Sequence, residues 1–131
     1  MPETGLHGPY NMMTASIDVN VAHTSPGAYA LGRASNDTFY VDYVGRADVD
    51  VAARLKQWLA TKKYTHFKFE YYSSPKAAFE KECRLYHDWK PQGLDNEIHP
   101  DRPNGTDWKC PICEPSGLLG LGRGLGFGRL L

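Results

Sequence analysis

Gly27-Ala28-Tyr29-Ala30-Leu31-Gly32-Arg33, a break at Asn36-Asp37, and Thr38-Phe39-Tyr40-Val41-Asp42-Tyr43-Val44-Gly45-Arg46 form the stretch on which the fold turns. In the second run Phe39, Val41 and Tyr43 alternate with Tyr40, Asp42 and Val44, the period of a strand with one buried face. Asn36-Asp37 offers turn chemistry between the runs, so the pair reads as a hairpin. Outward from it, Asp48 is placed to cap a helix running to about Thr61, with Ala52, Leu55 and Leu59 on one face. Tyr64 to Tyr72 alternates again, Phe67, Phe69 and Tyr71 opposing His66, Lys68 and Glu70. Ser74-Pro75 then supplies a cap and a first-turn proline for a second helix, which carries Ala78, Phe79, Cys83 and Tyr86 inward and ends near Trp89. The order strand, strand, helix, strand, helix predicts an α+β domain: a small three-stranded antiparallel sheet flanked by helices.

The chain has 131 residues, room for one core, and its composition is that of a globular domain. The domain is bounded at 26–114, after a Gly/Pro/Asn-rich leader over 1–25 with no sustained period. The segment 115–131 holds six glycines and six leucines. It makes a poor helix and a poor strand, and reads as a disordered tail or a non-native scar. No basic segment followed by an apolar run opens the chain, and no run of about twenty apolar residues occurs, so neither a signal peptide nor a membrane span is expected. The formal net charge is zero. Bulk electrostatics therefore argue little for nucleic acid, although Arg33, Arg46, Arg54, Lys56, Lys62 and Lys63 gather within one region. Three cysteines, two of them in Cys110-Pro111-Ile112-Cys113, fit a reduced cytoplasmic or nuclear protein with metal chemistry better than a disulfide framework.

Gly27-Ala28-Tyr29 on one strand and Tyr43-Val44-Gly45 on the next resemble the paired tripeptides of the GIY-YIG nucleases, with Ala28 and Val44 in place of the central isoleucines. Arg54 matches the arginine of the following helix, Glu80 in Ala77-Ala78-Phe79-Glu80 the glutamate of the later one, and Asn96 the late asparagine. Arg46 falls at a position usually basic. The resemblance covers roughly residues 27 to 96 and implies metal-dependent hydrolysis of phosphodiester bonds, with DNA as the partner. It implies that Tyr29 or Tyr43 orients or deprotonates the water and that Arg54 braces the phosphate with its forked donors. Glu80 would hold one Mg²⁺ or Mn²⁺, and Arg46 and Asn96 would face phosphate. One departure stands out: where some members carry a histidine one turn after the arginine, this chain has Trp58, for which His66 on the third strand is an imperfect substitute.

Cys83 and His87 are four apart on the second helix and share a face, and Cys110 and Cys113 make a turn whose two thiolates can grip one ion. Together they propose a closed Cys₃His zinc site, with His99 able to replace His87 as the fourth ligand. Such an ion would tie down the long loop between His87 and Cys110. Glu80, Cys83 and His87 lie within about a 60° sector of the helix, while Glu82 points away from it, so zinc would stiffen the helix that carries Glu80.

Three functional readings follow. The first is a metal-dependent endonuclease with a structural zinc. The second is a catalytically weak or inactive nucleic-acid-binding or interaction module on the same scaffold, favoured by neutral charge and Trp58. In the third the tyrosine hairpin is only structural and the zinc knuckle is an interaction site.

Overall fold

The computed structural model describes residues 3–113, so the tail expected at 115–131 lies outside the described residues. Its elements, in chain order, are β1 (His7–Asn11), α1 (Thr14–Asn20), β2 (Gly27–Ser35), β3 (Thr38–Ala47), α2 (Val51–Leu59), β4 (His66–Tyr71) and α3 (Pro75–Trp89), followed by a short 3₁₀ turn over Lys90–Gln92. The fold is α+β, as expected, but the sheet has four antiparallel strands in the order β1-β4-β2-β3. The fourth strand comes from the leader. Gly8-Pro9 interrupts β1 and hides its period, yet Tyr10 lies 5.5 Å from Phe67 across the pair with β4, close enough for a favourable ring contact.

Helices cover both faces of the sheet. On one side α1 and α2 close a core of Ile17, Tyr29, Leu31, Val51, Leu55, Phe67 and Phe69. On the other, α3 sets Leu85 and Trp89 against Ala28, Ala30, Val41 and Val44. Strand β2 is thus buried on both faces, with small residues toward α3 and large ones toward α1 and α2. Each large side chain fully buried in this way contributes about 2 kcal/mol.

The hairpin turns at Asn36 and Asp37, both with positive φ (51° and 64°), the two-residue geometry that matches strand twist. The alternation expected for β3 breaks, however. Leu31 pairs with Tyr43 and Gly32 with Val41, so Asp42 is an extra residue in the ladder. The bulge sends Tyr43 to the α2 side while Val41 and Val44 stay on the α3 side. Gly32 is obligatory here, because a Cβ on it would lie 1.8 Å from the Tyr40 carbonyl oxygen.

Helix α2 begins two residues later than Asp48 predicts. Asp50 is the cap, accepting from the amides of Ala52 and Ala53, and Asp48 instead pairs with Arg46. Ser74 caps α3 by accepting from Ala77 N, with Pro75 in the first turn, as expected. Beyond α3 the chain folds back along the free edge of β3. Asp95 N donates to Asp42 O at 2.6 Å, and the Asn96 side chain both accepts from Val44 N (2.9 Å) and donates to Val44 O (2.8 Å). A side-chain amide here does what a neighbouring strand would do, satisfying backbone groups that burial would otherwise leave orphaned. Among the described residues no helix is long and apolar enough to cross a membrane.

Candidate functional site

Tyr29 on β2 stands opposite Gly45 on β3, and its ring lies across that glycine. A Cβ at position 45 would come within 2.5 Å of the Tyr29 hydroxyl, and one at Gly27 within 2.6 Å of the Glu70 carbonyl oxygen. Both tripeptide glycines are therefore demanded by close approach. Tyr29 is 1% exposed, and its hydroxyl accepts a hydrogen bond from the Trp58 indole at 2.9 Å. Burial pushes its pKa well up, against the helping contact with Trp58. Tyr43 is only half-buried, its ring 4.6 Å from that of Trp58. Its pKa is also raised, first by burial and then by the charge of Glu82. Arg54 on α2 is exposed, and its charge favours the ionised form of both tyrosines.

The acid that faces these residues is Glu82, which corrects the expectation of Glu80. The charge of Glu82 acts on Tyr29 and Tyr43, and its carboxylate takes the Arg46 guanidinium at 2.7 Å. Glu80 lies two residues and about 200° away around α3, partly exposed, on the side it shares with Cys83 and His87. That shared sector, which suggested coupling between Glu80 and a zinc ion, is what carries Glu80 away from the tyrosines. Glu82 falls in line with Ala78, Leu85 and Trp89, all buried on α3. A carboxylate in the middle of an apolar stripe was the legible signal, because a buried acid needs a partner. Burial raises the pKa of Glu82 despite the opposing contact with Arg46.

Arg46 does not stand ready for phosphate. Its Nε meets Asp48 at 2.9 Å, its Nη1 meets Glu82, and the guanidinium lies 5.1 Å over the Phe79 ring. Burial opposes its charge, but Glu82 and Asp48 together outweigh burial and raise its pKa. Asn96 has an architectural position: it is buried and bonded to Val44, where it holds the strand that carries Tyr43 and Arg46. His66 is bonded to its neighbour, the Thr65 hydroxyl, at 2.9 Å.

The second cluster is assembled by α3, the loop behind it and the Cys-x-x-Cys turn. His87, His99, Cys110 and Cys113 place one ligand atom each within 4.8 Å of one another, a set that could hold a metal ion. His87 Nε2 is 3.1 Å from His99 Nε2 and 3.2 Å from Cys113 Sγ, and His99 Nε2 is 3.6 Å from Cys113 Sγ. Ideal tetrahedral N/S coordination puts ligand atoms about 3.3–3.8 Å apart, so these three separations are close to those a single ion needs. The imidazole of His99 is already oriented. Its Nδ1 lies 2.8 Å from Pro100 O, which can only accept, and this leaves the Nε2 lone pair facing the cluster. Cys110 Sγ accepts from Cys113 N at 3.4 Å.

Cys83 is not one of the four. It is fully buried behind Cys110, and its thiol bonds the Cys110 sulfur. That bond favours thiolate on Cys110, whose pKa falls, while the pKa of Cys83 rises. The expected Cys83, His87, Cys110, Cys113 set is thus corrected to a pair of histidines and a pair of cysteines. His99 enters beside His87 rather than instead of it, because Asp95 and Asn96 anchor the loop just before it.

Set against known protein families, curated proteins and solved structures, the chain has no significant match.

Proposed function

We propose that the chain is a metal-dependent endonuclease of the GIY-YIG type that hydrolyses phosphodiester bonds in DNA, with structural zinc in its Cys/His corner. One observation carries the reading: Tyr29 and Tyr43, beside the hairpin glycines, both lie within reach of the charges of Arg54 and Glu82, the four coming from four separate elements. Tyr43, the more open tyrosine, orients the attacking water. Raised pKa values at both tyrosines suit a neutral hydroxyl that positions water rather than a tyrosinate base. Arg54, exposed and without an ion pair among the described residues, braces the phosphate. Glu82 is the carboxylate suited to a hard divalent cation that keeps most of its waters. Such a cation, Mg²⁺ or Mn²⁺, supplies charge stabilisation at the phosphoryl oxygens. Arg46 pairs with Glu82, and a cation on Glu82 would leave its guanidinium able to meet phosphate. Two imidazoles and two thiolates select zinc over oxygen-seeking cations.

The alternative, a binding module without turnover, is favoured by two contacts: Trp58 seals the Tyr29 hydroxyl and Arg46 occupies Glu82. Incubation of plasmid and branched DNA with Mg²⁺ or Mn²⁺ separates the readings. Cutting by wild type and Glu80→Gln, but not by Glu82→Gln with zinc and fold retained, is the expected result. A well-folded, zinc-loaded wild type that cuts nothing leaves the binding module in its place.

A further inference from the structure

Tyr43, Trp58 and Tyr64 form an aromatic cluster beside Tyr29. Trp58 lies 4.6 Å from Tyr43 and 5.8 Å from Tyr64, the latter edge-to-face, and Tyr43 and Trp58 are only partly buried. The cluster is fixed from behind. Tyr64 donates to Asp95 Oδ2 at 2.7 Å, and the Trp58 indole nitrogen is bonded to Tyr29.

Three of the described cations are held in ion pairs. Lys56 pairs with Asp18, Arg33 with Asp42, and Arg46 with Asp48 and Glu82. Arg54, one turn before Trp58, and Lys63, whose ammonium lies 5.8 Å over Tyr64, are exposed and have no acidic partner among the described residues. Partly exposed aromatic residues with exposed cations beside them match one ligand chemistry: a flat heteroaromatic base joined to a phosphate. In an intact duplex the base faces are stacked on one another and hidden.

We propose that Tyr43 and Trp58, rimmed by Arg54 and Lys63, form a stacking subsite for an unpaired nucleobase, so that the substrate is single-stranded or branched nucleic acid rather than continuous duplex. The location of the subsite beside the scissile phosphate rests on the cleavage reading above, but the binding does not.

The test is fluorescence anisotropy with labelled oligothymidylate, oligouridylate and a duplex of equal length, on zinc-loaded protein without Mg²⁺ or Mn²⁺. Single strands should bind at least about tenfold more tightly than duplex. Trp58→Leu should lose about tenfold of that affinity, whereas Trp58→Phe, which drops the bond to Tyr29 but keeps a ring, should stay within about threefold. Lys63→Glu, a surface change, should weaken single-strand binding and lower its salt slope by about 1 or more. Equal affinity for duplex, equal loss in the two Trp58 variants, or no effect of Lys63→Glu would each overturn the subsite. The two single strands decide between a DNA and an RNA ligand. Should the wild type bind single strands as described yet cut none of its substrates, the cleavage reading falls and the subsite stands.

Discussion

At the tyrosine site several polar groups are already matched: Tyr29 to Trp58, and Glu82 and Asp48 to Arg46. In the Cys/His corner, nitrogen crowds nitrogen and sulfur at 3.1–3.6 Å, and His99 turns a lone pair into the gap. A single helix serves both, since Glu82 and His87 lie on α3. The tyrosine site is held in shape by its own contacts and burial, whereas the corner brings four ligand atoms together. Preorganisation by packing resists the loss of any one group in proportion to the partner left behind. Preorganisation around an ion fails together when the ion goes.

The largest break in this comparison is at the corner. Chelation, or Cys110→Ser, should abolish binding of one metal ion per chain and lower stability by about 4 kcal/mol when free metal exceeds its Kd a thousandfold. Metal analysis and denaturant unfolding check this, and the sheet should survive because its two cores do not include the ligands. Next comes Arg46→Ala, which strands the Glu82 carboxylate in a nearly closed site and should cost about 3 kcal/mol. The double change with Glu82→Gln should recover much of that loss in urea unfolding, because the buried charge is gone.

Asn96→Ala removes both bonds to the Val44 backbone and should cost about 2 kcal/mol, with faster amide exchange in β3. If metal binding also weakens, the strap along β3 and the corner beyond it are one cooperative unit. The smallest effect is with pH. Tyr29, Tyr43, Tyr64 and Tyr72 have pKa values raised chiefly by burial, above the ordinary value near 10 that they regain on unfolding. Their contribution is therefore complete below pH about 10 and is lost as pH rises beyond it, where only the unfolded chain releases these protons. Tyr29→Phe should flatten that alkaline loss, as read from unfolding curves on either side of the window.

Much of the fold was legible because local signals agreed with it. Asn36-Asp37 wants positive φ, Ser74-Pro75 wants a helix start, and Phe67 with Phe69 wants one face of a strand. What escaped were features decided by partners distant in sequence. Strand β1 exists because β4 offers Phe67 and Phe69, while its own Gly8-Pro9 reads as a break. The bulge at Asp42 depends on a glycine ten residues earlier, so Tyr43 changed sides unseen. In the site, Glu80 was preferred for its flanking residues, although the apolar line through Ala78, Leu85 and Trp89 marked Glu82 as the inward acid. Cys83 and His87 share a helix face, but depth separates them: the thiol sits in the core while the imidazole reaches the loop.

Asn96 has one more consequence. A sheet invites another chain wherever its outermost strands show unpaired amides, and both margins of this one are interrupted. On one side Pro9 in β1 has no amide hydrogen to offer, and on the other Asn96 occupies the donor and acceptor of Val44. At these positions a neighbouring strand finds no partner, which works against the edge-to-edge stacking that turns small sheets into fibres.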